Sequence, residues 1–151
     1  MAPVIRSATR DDLPRLVELL AQLSLDSPRE DLRSPRPAAY DAALEEVLAD
    51  GRQTLLVAEV DGAIVGMACY IEVPNLSHVG RPYALVEDVV VAAAMRGQGY
   101  GEALMQRAIE LARAGGCYKL VLTSSKVRTN AHRFYQRLGF KATHVGFRLE
   151  L

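Results

Sequence analysis

"VEDVVVAAAMRGQGYGEALMQRAIELA", residues 86–112, holds an apolar run, three glycines at alternate positions and an amphipathic stretch, in that order. The run 83–92 is apolar on both faces except at Glu87 and Asp88, the pattern of a strand lying inside a sheet. Past the glycines, Leu104, Ala108 and Leu111 form one helical stripe and Met105, Ile109 and Ala112 the next. Gln106, Arg107, Glu110 and Arg113 lie opposite, so the spacing predicts a helix over 101–114 with a wide buried face, ended by Gly115 and Gly116. Gly97, Gly99 and Gly101 then occupy the turn between a central strand and the N-terminus of the following helix. Unpaired N–H groups and the positive end of the helix dipole meet at such a turn, and glycines let an anion reach those amides with no Cβ in the way.

Outward from this unit, strands and helices alternate without internal repeat. "PVIRSA" reads as a short strand, and "TRDDLPRLVELLAQL" as a helix with Leu13, Leu16, Val17, Leu20 and Leu23 on one face. Thr9 and Asp12 have capping spacing, and Pro14 fits only because it falls in or near the first turn. "SLDSPREDLRSPRP", residues 24–37, has three prolines and mixed charge; it is expected to connect to a second helix at about 37–50 and to supply part of a substrate mouth. "QTLLVAEV" and "AIVGMACYIEV" flank Asp61-Gly62, a hairpin signal, and 74–82 is a loop. "CYKLVLTS" reads as another buried strand, and "NAHRFYQRLGF" sets Ala131, Phe134, Tyr135 and Leu138 on one helical face before Gly139. A last strand pair is expected near 140–142 and 144–151, giving a mixed α/β single domain over residues 1–151.

Composition removes several classes. Eighteen basic and eighteen acidic residues cancel, so no basic field attracts nucleic acid or anionic lipid. Cys69 and Cys117 lie in apolar segments without ligands at metal spacing; no metal is expected, and the thiols read as reduced packing residues of a cytosolic protein. The N-terminus has no apolar core of a signal, and no stretch nears the roughly 20 apolar residues of a membrane span.

Spacing also separates the phosphate loops. A nucleotide P-loop requires a lysine followed by a hydroxyl residue, which is absent, and in a dinucleotide fingerprint the third glycine would come one residue later. Arg96-Gly97-Gln98-Gly99-Tyr100-Gly101 instead resembles the R/Q-x-x-G-x-G/A pyrophosphate loop of GCN5-related N-acetyltransferases. The likeness extends over residues 86–140, through "FYQRLGF".

That resemblance implies a mixed sheet of six or seven strands, flanked by four helices, with splayed central strands. It implies acetyl-CoA as cosubstrate, its pyrophosphate on the amides of 97–101, with Arg96 and Glu102 at the same loop. Val89, Val90 and Val91 would lie along the pantetheine arm, an amide of Val89 or Val90 polarising the thioester carbonyl. Tyr135 would protonate or hydrogen-bond the leaving sulfur, although the face it occupies also suits a core tyrosine. Glu87 or Asp88 would take the amine proton, directly or through water; they should alternate in direction along the strand, and Glu87 is preferred. Asn130, His132 and Phe134 would adjoin the coenzyme, Asn130 out of register with the family's usual asparagine, where Arg128 stands. A small primary amine is the implied acceptor. Glucosamine 6-phosphate is one alternative, a non-catalytic acyl-CoA-binding module another, and the resemblance is compatible with a homodimer. His78 and Arg81 in the 74–82 loop could hold an acceptor phosphate or carboxylate, or stand solvated.

Overall fold

Thr9 and Asp12 open the first helix by exchanging hydrogen bonds. The Thr9 N–H donates to Asp12 Oδ2 at 2.7 Å, and the Asp12 N–H to the Thr9 carbonyl at 3.1 Å. A 3-10 turn, Arg10–Asp12, leads directly into α1, Leu13–Ala21, with Pro14 in its first turn as its missing N–H requires. Arg6, on the preceding strand β1 (Val4–Ser7), grips the buried Asp12 carboxylate through Nη1 at 2.7 Å and Nη2 at 3.0 Å, and donates from Nε to Glu59 at 2.8 Å. The Arg6 guanidinium holds the Asp12 carboxyl below its ordinary range. Such a depressed group stabilises the fold above its unfolded value and loses that contribution as pH falls through its folded one. Asp12→Ala, which also strands Arg6, is expected to cost about 2–3 kcal/mol at neutral pH. Thermal melts should show the gap to wild type closing below about pH 4; a gap independent of pH would remove the ion pair from the account.

The computed structural model describes residues 1–24 and 29–151. After α1 come α2 (Ala39–Ala49), β2 (Gln53–Val60), β3 (Ala63–Val73), a single turn α3 (Ser77–Gly80), β4 (Tyr83–Val91), α4 (Tyr100–Ala114), β5 (Leu120–Val121) and α5 (Thr129–Arg137). The five strands lie in the order β1-β2-β3-β4-β5, antiparallel up to β4 and parallel between β4 and β5. Asp61 and Gly62, at φ 50° and 77°, make the hairpin turn between β2 and β3. β3 is buried along most of its length, and α4 covers the sheet with Tyr100, Leu104, Met105, Ala108 and Ala112. Gly66 on β3 is required by that closeness: a Cβ there would stand 3.0 Å from the Val90 carbonyl oxygen and 3.2 Å from Leu104 Cδ1.

The chain forms two compact units, Met1–Val121 and Leu122–Leu151. In the second, α5 is the only regular element among the described residues. The structure corrects the expected strand count of six or seven to five among the described residues. "CYKLVLTS" contributes only Leu120–Val121, half-buried, since β5 gains ladder bonds from β4 alone. Residues 140–142 and 144–151 form no strand, because among the described residues no ladder partner lies beside them. Part of the expected substrate mouth, residues 25–28, lies outside the described residues.

Candidate active site

β4 changes its pairing parity in mid-strand. Cys69 stands opposite Glu87 and Met67 opposite Val90, so Asp88 and Val89 together face Ala68 in a bulge. Asp88 takes up the extra residue at φ 52°, a left-handed conformation that aspartate tolerates better than the β-branched valines beside it. Before the bulge, even-numbered residues bond toward β5: the Ala84 N–H donates to the Lys119 carbonyl at 2.9 Å. After it, the Ala92 N–H donates to Val65 on the β3 side at 2.8 Å. The two-residue period then turns the Val90 amide toward β3 and those of Val89 and Val91 toward the other edge. β4 pairs with β5 only at Ala84–Leu120 and Leu85–Val121, so from Val86 onward no strand among the described residues is laddered to that edge of β4.

Glu87 and Asp88 do not alternate in direction as a regular strand would have them: the bulge brings both side chains to solvent. Among the described residues neither makes a hydrogen bond or ion pair. Desolvation raises the Glu87 carboxyl above its ordinary range, and the charge of Asp88 adds to it. Asp88 is raised by desolvation and then by the negative charge of Glu30. Sequence reasoning missed Glu30. It lies in the proline-bearing connection expected to border the substrate, but nothing in "SPREDL" distinguishes it from Asp31. The Tyr40 hydroxyl fixes it, donating to Glu30 Oε2 at 2.7 Å while accepting the Asp31 N–H at 2.9 Å. Glu30, Asp88 and Glu87 thus form an acidic group, each carboxyl acting on the next.

The glycine loop continues from the open edge. The Arg96 Nε donates back to the Val91 carbonyl at 3.1 Å, tying loop to strand. Gly97 has φ 76° and Gly99 φ 84°, and a Cβ at either would meet nothing within 4 Å. Backbone conformation, with open space in front, is what calls for glycine here. Gly99 is the N-cap of α4 without a side-chain cap, and the first helical bond runs from the Ala103 N–H to the Gly99 carbonyl at 3.0 Å. The amides of Tyr100, Gly101 and Glu102 consequently remain available to an anion. Tyr100 is only 3% exposed and donates to Gln98 Oε1 at 3.2 Å, which steadies the loop from below.

In the second unit, Tyr135 is half-buried on α5, its ring edge-on to Phe134 at 5.1 Å and to Phe140 at 6.0 Å. Burial raises its phenol, opposed by the charge of Arg128. A phenol held protonated can donate. Asn130 is exposed in the first turn, and His132 Nε2 lies 2.8 Å from the Ser125 carbonyl, which engages it structurally. In the 74–82 loop, His78 stacks on Tyr118 at 3.7 Å and Arg81 donates to the Gly116 carbonyl at 3.4 Å, so both are already occupied. Cys69 and Cys117 are free thiols, and burial pushes Cys69 up to about 11. Among the described residues no three His, Cys, Asp or Glu are placed to hold a metal ion, and no helix is long and apolar enough to cross a membrane.

Known proteins resemble this chain in sequence and in fold. The model of the Acetyltransferase (GNAT) family matches residues 17–140. A glucosamine 6-phosphate N-acetyltransferase of Trypanosoma brucei brucei is 41% identical over 90 residues, 60% of this chain but only 59% of that protein's length. Glucosamine 6-phosphate N-acetyltransferase 1 of Oryza sativa subsp. japonica is 34% identical over 146 residues, 93% of this chain and 82% of the relative. A crystal structure of a transcriptional regulator from Bacillus halodurans C-125 superposes with a TM-score of 0.94 at 40% identity, covering 99% of each chain.

Proposed function

Because the chain belongs to the acetyltransferase (GNAT) family, we propose that it moves the acetyl group of acetyl-CoA to the primary amine of a small molecule by direct attack, all of residues 1–151 serving as one N-acetyltransferase domain. The observation that carries this is the continuity of an open β4 edge with an uncapped, glycine-fronted helix N-terminus, a fit for a pantetheine arm ending in a pyrophosphate. The amides at 97–101, with Arg96 and Glu102 beside them, hold the pyrophosphate. The backbone of Val89 and Val91 pairs with the pantetheine. The Val89 N–H, which strand parity turns away from β3, donates to the thioester oxygen as negative charge develops, and that parity supports Val89 over Val90. Glu87, with Asp88 as its alternate, accepts the ammonium proton, the amine attacks the carbonyl carbon, and the C–S bond breaks as Tyr135 donates to the departing sulfur, the second nitrogen proton leaving through water to restore the phenol. Asn130, His132 and Phe134 flank the coenzyme.

An amino sugar phosphate is the favoured acceptor, supported by the names of the trypanosomal and rice relatives and by the acidic mouth that suits an ammonium. The protein is read as cytoplasmic, supported by its free thiols, and as a homodimer, supported by apolar side chains its last residues leave in solvent. A second reading, a binding module without turnover, draws support from the regulator whose fold it shares.

Thiol release from acetyl-CoA with glucosamine 6-phosphate, glucosamine, aminoglycosides, polyamines and amino acids separates the two. Saturable release, greatest with the sugar phosphate, is expected; thermal stabilisation by coenzyme A with no release on any amine would favour the module. Since the Glu87 carboxyl is raised and must be ionised to accept a proton, kcat/KM should climb as pH rises through a value above about 4.3. Glu87→Gln should flatten that limb and lower kcat about tenfold, Asp88 and water sparing the rest. An unchanged limb would take Glu87 out of the chemistry.

A further inference from the structure

Ala93 opens the short turn between β4 and the glycine loop, and its N–H is satisfied from outside that turn. Residues Ala93–Met95 form a 3-10 turn behind Ala92, whose side chain supplies no cap. The Met95 N–H closes the turn on the Ala92 carbonyl at 2.8 Å, and the Ala92 N–H is taken by Val65 of β3. The Ala93 N–H is one of the donors that a helical turn leaves over at its start. It goes to Gln22 Oε1 at 2.9 Å, on a residue 71 positions earlier in the chain.

Gln22 stands on a rigid support. It is the C-cap of α1, its own N–H bonded to the Leu19 carbonyl at 3.0 Å. Leu16, Val17 and Leu19 anchor that helix in the buried core, and Met95 from the turn packs against the same cluster. An amide side chain on a fixed helix end therefore acts as a cap for a turn distant in sequence. The side-chain bonds within the glycine loop are local by contrast, Arg96 to the Val91 carbonyl and Tyr100 to Gln98. They shape the loop, whereas Gln22 ties its entry to α1.

We propose that Gln22 is a positioning residue for the donor: by holding the Ala93 amide it fixes the direction in which the chain leaves β4, and so the aim of the glycine-loop and α4 amides at the pyrophosphate, given that this loop is the coenzyme A site proposed above. Gln22 touches no reacting atom. It acts by lowering the number of conformations that the loop gives up when the anion arrives.

Gln22→Met and Gln22→Glu test the proposal. Methionine matches glutamine in length and helix preference and removes the acceptor oxygen, while glutamate keeps one. Affinities for coenzyme A and for S-acetylpantetheine, which lacks the pyrophosphate, are measured by calorimetry on each protein, with hydrogen exchange of the Ala93 amide followed by NMR. Gln22→Met should bind coenzyme A about tenfold more weakly, the scale of one net hydrogen bond, and S-acetylpantetheine as the wild type does. It should lose protection at Ala93, and its melting temperature should fall by only a few degrees. Gln22→Glu should keep Ala93 protected and recover the coenzyme A affinity, compared at about 0.5 M salt, where its added charge is screened. An Ala93 amide that exchanges freely in the wild type, a coenzyme A affinity unchanged in Gln22→Met, an equal loss for both ligands, or a Gln22→Glu variant that fails to recover would overturn the proposal. A wild type that binds the two ligands alike would overturn the loop reading together with it. A wild-type preference for coenzyme A that Gln22→Met leaves intact refutes the role of Gln22 and leaves the loop reading standing.

Discussion

Gly99→Val should bind coenzyme A on the order of 10²- to 10³-fold more weakly than wild type, with the fold intact. Two effects combine at this position. The residue stands at φ 84°, where a β-branched side chain is strained by about 1–2 kcal/mol, and its Cβ would enter the open space in front of the α4 amides. The strain alone should lower the melting temperature by only a few degrees. The larger loss comes from charge-assisted hydrogen bonds to the pyrophosphate, each worth about 1.5–3 kcal/mol, of which two suffice for the stated effect. Calorimetric titration with coenzyme A beside a thermal melt checks both halves. A variant that binds normally would mean that the anion is not held by this loop.

Tyr135→Phe is expected to lower kcat by about 10²-fold or more and to leave coenzyme A affinity within about twofold. The ring keeps its edge contacts with Phe134 and Phe140 in the variant, so packing is preserved and only the hydroxyl is lost. Burial keeps that phenol protonated through the neutral range, as a donor to a departing thiolate must be. Pre-steady-state rates and equilibrium binding on one preparation distinguish the cases. An unchanged kcat would leave Tyr135 as a packing residue; a fall in affinity equal to the fall in rate would make it a binding one.

What could be read from the residues alone follows from how local each signal was. Thr9 with Asp12, Asp61 with Gly62, and Gly115 with Gly116 specify cap, hairpin and helix end through neighbours in sequence, and each stands where its spacing puts it. The order of strand, glycine turn and helix at 83–114 was equally legible. The bulge at Asp88 was not, because it depends on the register of β4 against β3, and no local pattern in "VEDVVV" marks a left-handed aspartate. The bulge leaves both carboxylates exposed and shifts the parity of the strand so that the Val89 amide faces away from β3. Glu30 was hidden for a related reason: its influence on Asp88 acts across some sixty residues of chain. The strand pair expected at 140–142 and 144–151 does not form among the described residues: a strand needs a partner as well as a pattern, and the pattern does not supply one.

The central claim is that the glycine turn before α4 grips the pyrophosphate of the donor. Titration of the wild type and Gly99→Val with coenzyme A and with S-acetylpantetheine, which lacks the pyrophosphate, isolates that grip. The wild type should prefer coenzyme A by about 100-fold or more, and Gly99→Val should bind the two almost alike. Equal affinities in the wild type, or a preference that survives in Gly99→Val, would contradict it.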